Sequence, residues 1–180
     1  MNSGTLVASL IMAALMALLI AFLIHLMMRG WRERGRLQAA MIGTLPPVPE
    51  TVGSPIVAPT RGVYVGCTLA PSWDDRVAVG DLGYRSKAVL TRYPEGIMVQ
   101  RSGASPIWIP QESITAIRTE RGMVGKVVPG RPAQDADEDA TTQEGILAIR
   151  WRLPSGTEID LGFRGNDRGE YTRWLPENTR

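Results

Sequence analysis

The chain has 180 residues, which leaves room for one ordinary domain and an appendage, and its formal net charge is +2. Of its 20 basic and 18 acidic side chains, four arginines and two glutamates precede Arg61. The remaining 16 of each sign cancel, so the C-terminal part lacks the basic surface that nucleic-acid binding requires. One cysteine and one histidine exclude a disulfide framework, a four-cysteine zinc site and Ser-His-Asp or Cys-His catalysis, and we expect no cofactor.

The first predicted element is a transmembrane helix at residues 6–28, which begins at Leu6 and ends at Met28. These 23 residues include no Asp, Glu, Lys or Arg. At about 1.5 Å per residue they span about 34 Å, slightly more than the hydrocarbon core of a bilayer. A cleaved signal peptide is disfavoured because no basic residue precedes the segment, the segment is long, and no small-residue cleavage site follows it.

Basic residues beyond the apolar segment predict its orientation. They are Arg29, Arg32, Arg34 and Arg36, with Trp31 among them at the place of an interfacial aromatic residue. The positive-inside rule therefore puts residues 1–5 outside the cell and residues 29–180 in the cytoplasm, as in a single-pass protein of the cell membrane. We expect the same arginines to attract anionic lipid headgroups weakly, at about 1 kcal/mol per residue.

A linker is predicted between the membrane segment and the folded domain, within residues 29–60. After the arginines, the stretch 44–60 contains five prolines and favours an extended polyproline II conformation. Fully extended, it would span about 50 Å. This composition predicts a tether that lets the domain move near the membrane.

Residues 61–180 are predicted to form a mainly β domain. Alternating hydrophobic residues place Val63, Val65, Cys67 and Leu69 on one face of a first strand. Two hairpins are indicated, one across Pro94-Glu95-Gly96 and one across Pro154-Ser155-Gly156. Further strands are predicted at 76–80, 107–109, 114–119 and 124–128.

The second hairpin predicts its own register. Leu147, Ile149, Trp151 and Leu153 alternate with polar residues before the turn, and Ile159, Leu161 and Phe163 alternate with them after it. Arg150 and Arg152 are then expected to pair across the strands with Glu158 and Asp160 on a solvated sheet face.

A short α-helix is predicted at the C-terminus. Asp167 and Glu170 have capping-box spacing, and Tyr171, Trp174 and Leu175 form one apolar stripe. Trp174 is expected to plug the end of the β domain, and Tyr171 with Trp174 is the candidate interaction surface. Before this helix, the acidic stretch 130–142 lacks the spacing of a calcium-binding loop and is predicted to be solvated.

Several short motifs carry a resemblance to a known family. They are GVYVGCT at 62–68, WDDRV at 73–77, GYRS at 83–86, IP at 109–110, GKVV at 125–128 and LGFR at 161–164. Together they resemble actinobacterial single-pass membrane proteins with a bacterial pleckstrin-homology-like domain, often labelled as transporter or export proteins. The resemblance implies a barrel or sandwich of about seven strands followed by a helix, and it implies no activity.

The sequence favours a non-catalytic interaction module that binds an unknown protein or peptide at the inner membrane face. An accessory subunit of a transporter or cell-envelope machine is the alternative, with Ala13, Ala14 and Ala17 as a small-residue helix face. An enzyme that uses Asp74 with Asp75 is disfavoured because adjacent strand residues point to opposite faces.

Overall fold

The structure, a computed structural model, describes residues 3–124, 126–127 and 145–175. It begins with α1, a 40-residue helix over Ser3–Ile42. The helix is long and apolar enough to cross a membrane, and every side chain described from Gly4 to Glu33 is exposed. The predicted segment 6–28 is therefore the unpacked part of a longer helix.

The remaining regular structure is almost all β. Within the described residues the strands are β1 (Val57–Leu69), β2 (Ser86–Tyr93), β3 (Gly96–Arg101), β4 (Ile107–Pro110), β5 (Ile114–Glu120), β6 (Gly122–Met123), β7 (Lys126–Val127), β8 (Ile146–Arg152) and β9 (Glu158–Gly165). Seven of them form one antiparallel sheet in the order β4-β3-β2-β1-β9-β8-β5. Its two edge strands, β4 and β5, are joined by only the 3₁₀ helix Gln111–Ser113, so the sheet must curl until its edges approach each other.

Both predicted hairpins are confirmed. Strands β2 and β3 pair across Pro94 and Glu95. In the second hairpin Arg150 lies opposite Asp160 and Arg152 opposite Glu158, as the alternation predicted. The inward side chains of β8 and β9 are buried in the main core, which makes one face of this hairpin the interior.

The predicted face of β1 is wrong because the strand contains a bulge. The pairing register with β9 shifts between Tyr64 and Gly66, and Gly66 has a φ of +136°. As a result Tyr64 and Cys67 both point into the main core. Val65 instead packs in a small second cluster with Met123, Ile146 and Ala148.

The strand predicted at 76–80 is also wrong. Only one isolated bridge, between Thr68 and Arg76, forms in this stretch. The N–H of Ala78 donates to the Gln38 side chain of α1 at 2.7 Å instead of to a neighbouring strand. The helix thus satisfies backbone hydrogen-bonding groups that a neighbouring strand would otherwise pair with.

The proline-rich stretch differs from a free tether. β1 begins at Val57, so residues 57–60 belong to the sheet and not to the predicted linker. Leu45 packs against the core, the N–H of Gly53 donates to Glu95 Oε2 at 3.2 Å, and the N–H of Ile56 donates to Arg92 O at 2.8 Å. These contacts hold residues 45–56 along the domain.

The C-terminal element is a 3₁₀ helix over Arg168–Arg173 in the described residues, where a short α-helix was expected. Asp167 caps it by accepting from the N–H of Gly169 at 2.9 Å. Tyr171 and Trp174 have no exposed surface, which confirms Trp174 as a plug. A role for Tyr171 and Trp174 as an interaction surface is wrong, because the helix folds both rings into the core. The acidic stretch 130–142 and Gly125 and Val128 of the predicted strand lie outside the described residues.

Candidate functional site at the junction of helix and domain

The C-terminal half of α1 carries two side-chain stripes with identical spacing. One stripe is Trp31, Gly35, Gln38 and Ile42, and it faces the β domain. The other is His25, Arg29, Arg32 and Arg36, which line one exposed side of the helix. At about 100° per residue, the two stripes lie roughly a third of a turn apart, so docking leaves the arginines free of the domain.

The domain-facing stripe is built for close contact. A Cβ atom at Gly35 would lie 2.9 Å from the carbonyl oxygen of Ala78, so only glycine lets the helix approach this closely. One turn further, Gln38 Nε2 donates to Arg76 O at 3.2 Å while Gln38 Oε1 accepts from the N–H of Ala78 at 2.7 Å. Ile42 is buried in the main core. The helix end is therefore part of the domain.

The free carbonyls at the C-terminal end of α1 also find partners in the domain. Met41 O accepts hydrogen bonds from Ser155 Oγ at 2.6 Å and from Thr157 Oγ1 at 2.7 Å. Both hydroxyls come from the β8–β9 hairpin tip. Since the last carbonyls of a helix have no partner inside the helix, these bonds stabilise its junction with the sheet.

Nearer the apolar segment, α1 touches the β1–β2 connection, residues 70–85. A Cβ atom at Gly83 would lie 3.2 Å from Cζ2 of Trp31, so the indole ring packs directly over this glycine. Arg76 Nη2 donates to the carbonyl of Gly83 and holds the same turn from the domain side. The next two residues, Tyr84 and Arg85, are exposed.

A buried polar cluster fixes the β1–β2 connection to the sheet. Arg101 Nη2 contacts Asp81 Oδ1 at 2.6 Å, and its guanidinium stacks over the Tyr64 ring with Cζ 4.9 Å from the centroid. Tyr64 donates to Leu82 O at 2.6 Å. Burial opposes ionisation of Asp81, but hydrogen bonds from Arg101 and from the N–H of Ser105 hold its pKa below the ordinary value. The connection is consequently a positioned element.

The residues predicted to anchor the chain lie on the surface of α1 where their side chains are described. Leu6, Met28, Arg29, Arg32 and Arg36 are all exposed on α1, and Trp31 is partly covered by the domain. Arg36 approaches Glu33 to 3.7 Å, a solvated pair that leaves the arginine available. The side chain of Arg34 lies outside the described residues.

A second charged cluster lies on the sheet. Arg118 on β5 and Arg150 on β8 both contact Asp160 Oδ2, at 2.9 Å and 2.7 Å. Burial of Asp160 opposes ionisation, but the hydrogen bonds from Arg150 and Arg118 keep its pKa below the usual carboxyl value. The sequence predicted the Arg150 pair and missed both Arg118 and the burial of Asp160, since β5 and β8 are distant in the sequence and no local pattern indicates their pairing.

The described residues offer little for chemistry. They contain no group of three His, Cys, Asp or Glu placed to hold a metal ion. Cys67 is fully buried, and that burial raises the pKa of its thiol to about 12 despite the Tyr64 hydrogen bond and the nearby Arg101. Asp74 accepts from Ser72 Oγ at 2.8 Å in a turn outside the strands, so it does not form a dyad on a sheet with Asp75.

The docking residues were missed by sequence reasoning, although a signal for them exists. Gly35, Gln38 and Ile42 follow Trp31 at intervals of four, three and four residues, and this spacing is typical of a helix face that packs. The polar cluster around Arg101 had no such signal, because its members come from separate strands and loops.

Comparison with known proteins agrees with this architecture. Residues 42–179, well over half of the chain, match the family described as bacterial PH domain-like. Among curated proteins, none matches the chain. The match begins at Ile42, the residue with which α1 enters the core. A single apolar helix, a curled antiparallel sheet of seven strands and this match together show that the chain belongs to the bacterial PH domain-like family.

Proposed function

We propose that this protein is a membrane-anchored, non-catalytic interaction module, held at the inner face of the cell membrane, that binds a protein or peptide. The observation that carries the proposal is the dual character of α1. Its apolar part, residues 6–28, packs against nothing in the described structure, and its end is built into the core through Ile42. Such a helix suits lipid at one end and fixes the domain at the other.

Orientation is supported by the distribution of charge. The described side chains of the arginine stripe are exposed beyond Met28, and residues 1–5 carry no basic side chain. The juxtamembrane arginines then lie within reach of anionic headgroups. Protease added outside intact cells should leave a C-terminal tag intact and remove an N-terminal tag. Digestion of the C-terminal tag would contradict the proposed orientation.

The non-catalytic part of the proposal is supported by the state of the reactive side chains. Domains of this class are generally non-catalytic. Here the thiol of Cys67 is buried, and the carboxylates of Asp81, Asp160 and Glu158 are each engaged by an arginine. Groups committed to structural pairs are poorly placed to take up protons from a substrate.

Partner binding is supported by the edges of the sheet. No described strand pairs with the outer edge of β4 or of β5. An extended peptide can add to such an edge by backbone hydrogen bonds. A photo-crosslinker at the exposed Thr115 of β5 should capture a discrete membrane-associated protein in cells, whereas one at Glu95, in the β2–β3 turn, should not. Capture of the same bulk membrane proteins from both positions would contradict binding at this edge.

The alternative is an accessory subunit of a transporter or cell-envelope machine, in contact through α1. It is favoured by the exposure of Ala13 and Ala17, four residues apart on an unpacked helix face. A chimera in which an unrelated apolar helix replaces residues 6–28, with residues 29–42 kept, distinguishes binding through the β domain from binding through α1. If the Thr115 crosslink persists in this chimera, the domain carries the interaction; if it disappears, the helix does.

A further inference from the structure

We propose that the tip of the β1–β2 connection, formed by Tyr84 and Arg85, rests in the lipid headgroup layer beside Trp31. The partner of this surface is the bilayer that α1 crosses, and the domain therefore has one fixed orientation on the membrane. The inference rests on the membrane anchor in the proposed function. It does not depend on which side of the membrane the domain occupies.

The depth of the tip follows from helix geometry. Trp31 lies three residues beyond Met28, which at about 1.5 Å per residue is about 4.5 Å from the end of the apolar segment. The headgroup layer extends about 5–7 Å beyond the hydrocarbon core on each side. Trp31 therefore lies in this layer, and its ring packs directly over Gly83. Tyr84 directly follows Gly83 in the chain, so it must also lie close to the lipid.

The contacts on either side of the tip keep it at this depth. α1 is helical without a break through Ile42, and Gln38 binds the connection at both Arg76 and Ala78. On the domain side, Arg101 holds Asp81 and Tyr64 holds Leu82. Because the tip is fixed to the helix and to the sheet at once, it cannot swing away from the membrane without breaking buried hydrogen bonds.

The chemistry of the tip fits a headgroup layer. Tyr84 is 58% exposed although it is a large aromatic residue, and Arg85 beside it is also exposed. Tyrosine and tryptophan are enriched at this level of membrane proteins because an apolar ring with a polar end suits both sides of the boundary. Arg29 and Arg32 lie at the same level of α1, so the surface facing the lipid is positive and complements anionic headgroups.

The opposite end of the domain then lies well away from the bilayer. β2 starts just after the tip, at Ser86, and its eight residues cover about 26 Å. The chain after Ile42 leads the same way, since the N–H of Gly53 donates to Glu95 in the turn that follows β2. Glu95, exposed in the β2–β3 turn, is thus a natural position for a distant control.

The test uses the full chain in liposomes that contain an anionic lipid. Cys67, the single cysteine, is buried, so Tyr84→Cys and Glu95→Cys each provide one accessible site for a fluorescent label. The labelled variants are quenched by lipids that carry a nitroxide at the headgroup or high on the acyl chain. We expect quenching at position 84 to be several-fold stronger than at position 95.

Three outcomes are distinguishable. Strong quenching at 84 and weak quenching at 95 supports the surface. If quenching is weak and equal at both positions while the protein still floats with the liposomes, the proposed contact of the tip with the headgroup layer is wrong and the membrane anchor remains supported. Failure of the protein to float with the liposomes overturns the anchor and this inference together. Unchanged thermal unfolding of both variants excludes misfolding as the cause.

Discussion

Asp160 lies in the sheet between the guanidinium groups of Arg118 and Arg150, and only 3% of its surface is exposed. A carboxylate in this position is stable as an anion only because both arginines donate to it. These two ion pairs connect β5, β8 and β9, so this residue joins three strands. Its charge has therefore a structural role that alternation of apolar and polar residues does not reveal.

Replacing Asp160 by Asn should lower the free energy of unfolding by about 2–3 kcal/mol, because two partly buried guanidinium groups lose their anion. The matched control is Glu158→Gln in the more exposed pair with Arg152, which should cost less than about 1 kcal/mol. Urea unfolding at neutral pH measures both. Equal losses in the two variants would contradict the role assigned to Asp160.

The pH dependence of stability should change with the same substitution. The folded pKa of Asp160 is lower than its unfolded value, so its contribution is complete above the ordinary carboxyl pKa of about 4 and is lost as the pH falls below it. Asp160→Asn removes this contribution. Unfolding midpoints measured from pH 6 to pH 2 should therefore fall less steeply in the variant than in the parent protein.

Cys67 should be inert while the protein is folded. Its thiol has no exposed surface and a pKa raised to about 12 by burial, so almost no thiolate exists at pH 8. A maleimide reagent should label the native protein negligibly and label it fully in denaturant. Stoichiometric labelling without denaturant would show that the core around Tyr64 opens readily.

At the level of elements, the docked end of α1 depends on one polar side chain. Gln38→Ala removes the bonds to Arg76 O, which is partly buried, and from the buried Ala78 N–H, and this loss should cost about 1–3 kcal/mol. The neighbouring Leu37→Ala, at an exposed position, is the control and should have little effect. Chemical unfolding in a mild detergent compares the two variants. If their midpoints coincide, α1 is not docked through Gln38.

The C-terminal 3₁₀ helix should prove equally sensitive. Trp174→Ala removes a fully buried ring and its hydrogen bond to Thr60 Oγ1 at 3.1 Å, with an expected cost of about 3–5 kcal/mol. Thr172→Ala, on the exposed side of the same turn, is expected to cost less than about 1 kcal/mol. Thermal unfolding of both variants distinguishes a plug from an accessory turn.

Local pattern predicted the elements whose interactions are local. The alternation in β8 and β9, with a turn between them, fixed both pairing and register. It failed at β1, where the bulge at Gly66 reverses the face of the strand without a break in the run of apolar residues. It failed also at 76–80, because the backbone partner of Ala78 is a side chain 40 residues away.

At the level of the whole molecule, the boundary between the unpacked apolar segment and the packed domain falls inside α1. The proline-rich stretch suggested a boundary near residue 61, whereas the packing begins at Trp31 and includes Ile42. Composition alone identified the apolar, unpacked part of the helix, since that part depends only on the absence of charge. The docked part of α1 depends on tertiary contacts, and the numbers of charged residues and prolines carry no information about such contacts.

A truncation series tests this boundary. A fragment starting at residue 30 retains the docking stripe, and one starting at residue 44 loses Gln38 and Ile42. The shorter fragment should be less stable by several kcal/mol, from the lost core side chain and the unsatisfied backbone groups. Differential scanning calorimetry of the two fragments provides the measurement. Equal transition temperatures would place the domain boundary after the helix.

Because α1 is helical without a break over Ser3–Ile42, the number of residues between its apolar segment and its docked end determines the rotation of the domain about the helix axis. Each residue of an α-helix turns the chain by about 100° and advances it by about 1.5 Å. One residue inserted between Met28 and Trp31 would swing the domain more than a quarter of a circle about the helix axis. Seven residues would nearly restore its azimuth and raise it by about 10 Å. Insertions in this short stretch thus rotate the β5 edge relative to the apolar segment of α1, with no change in the edge itself.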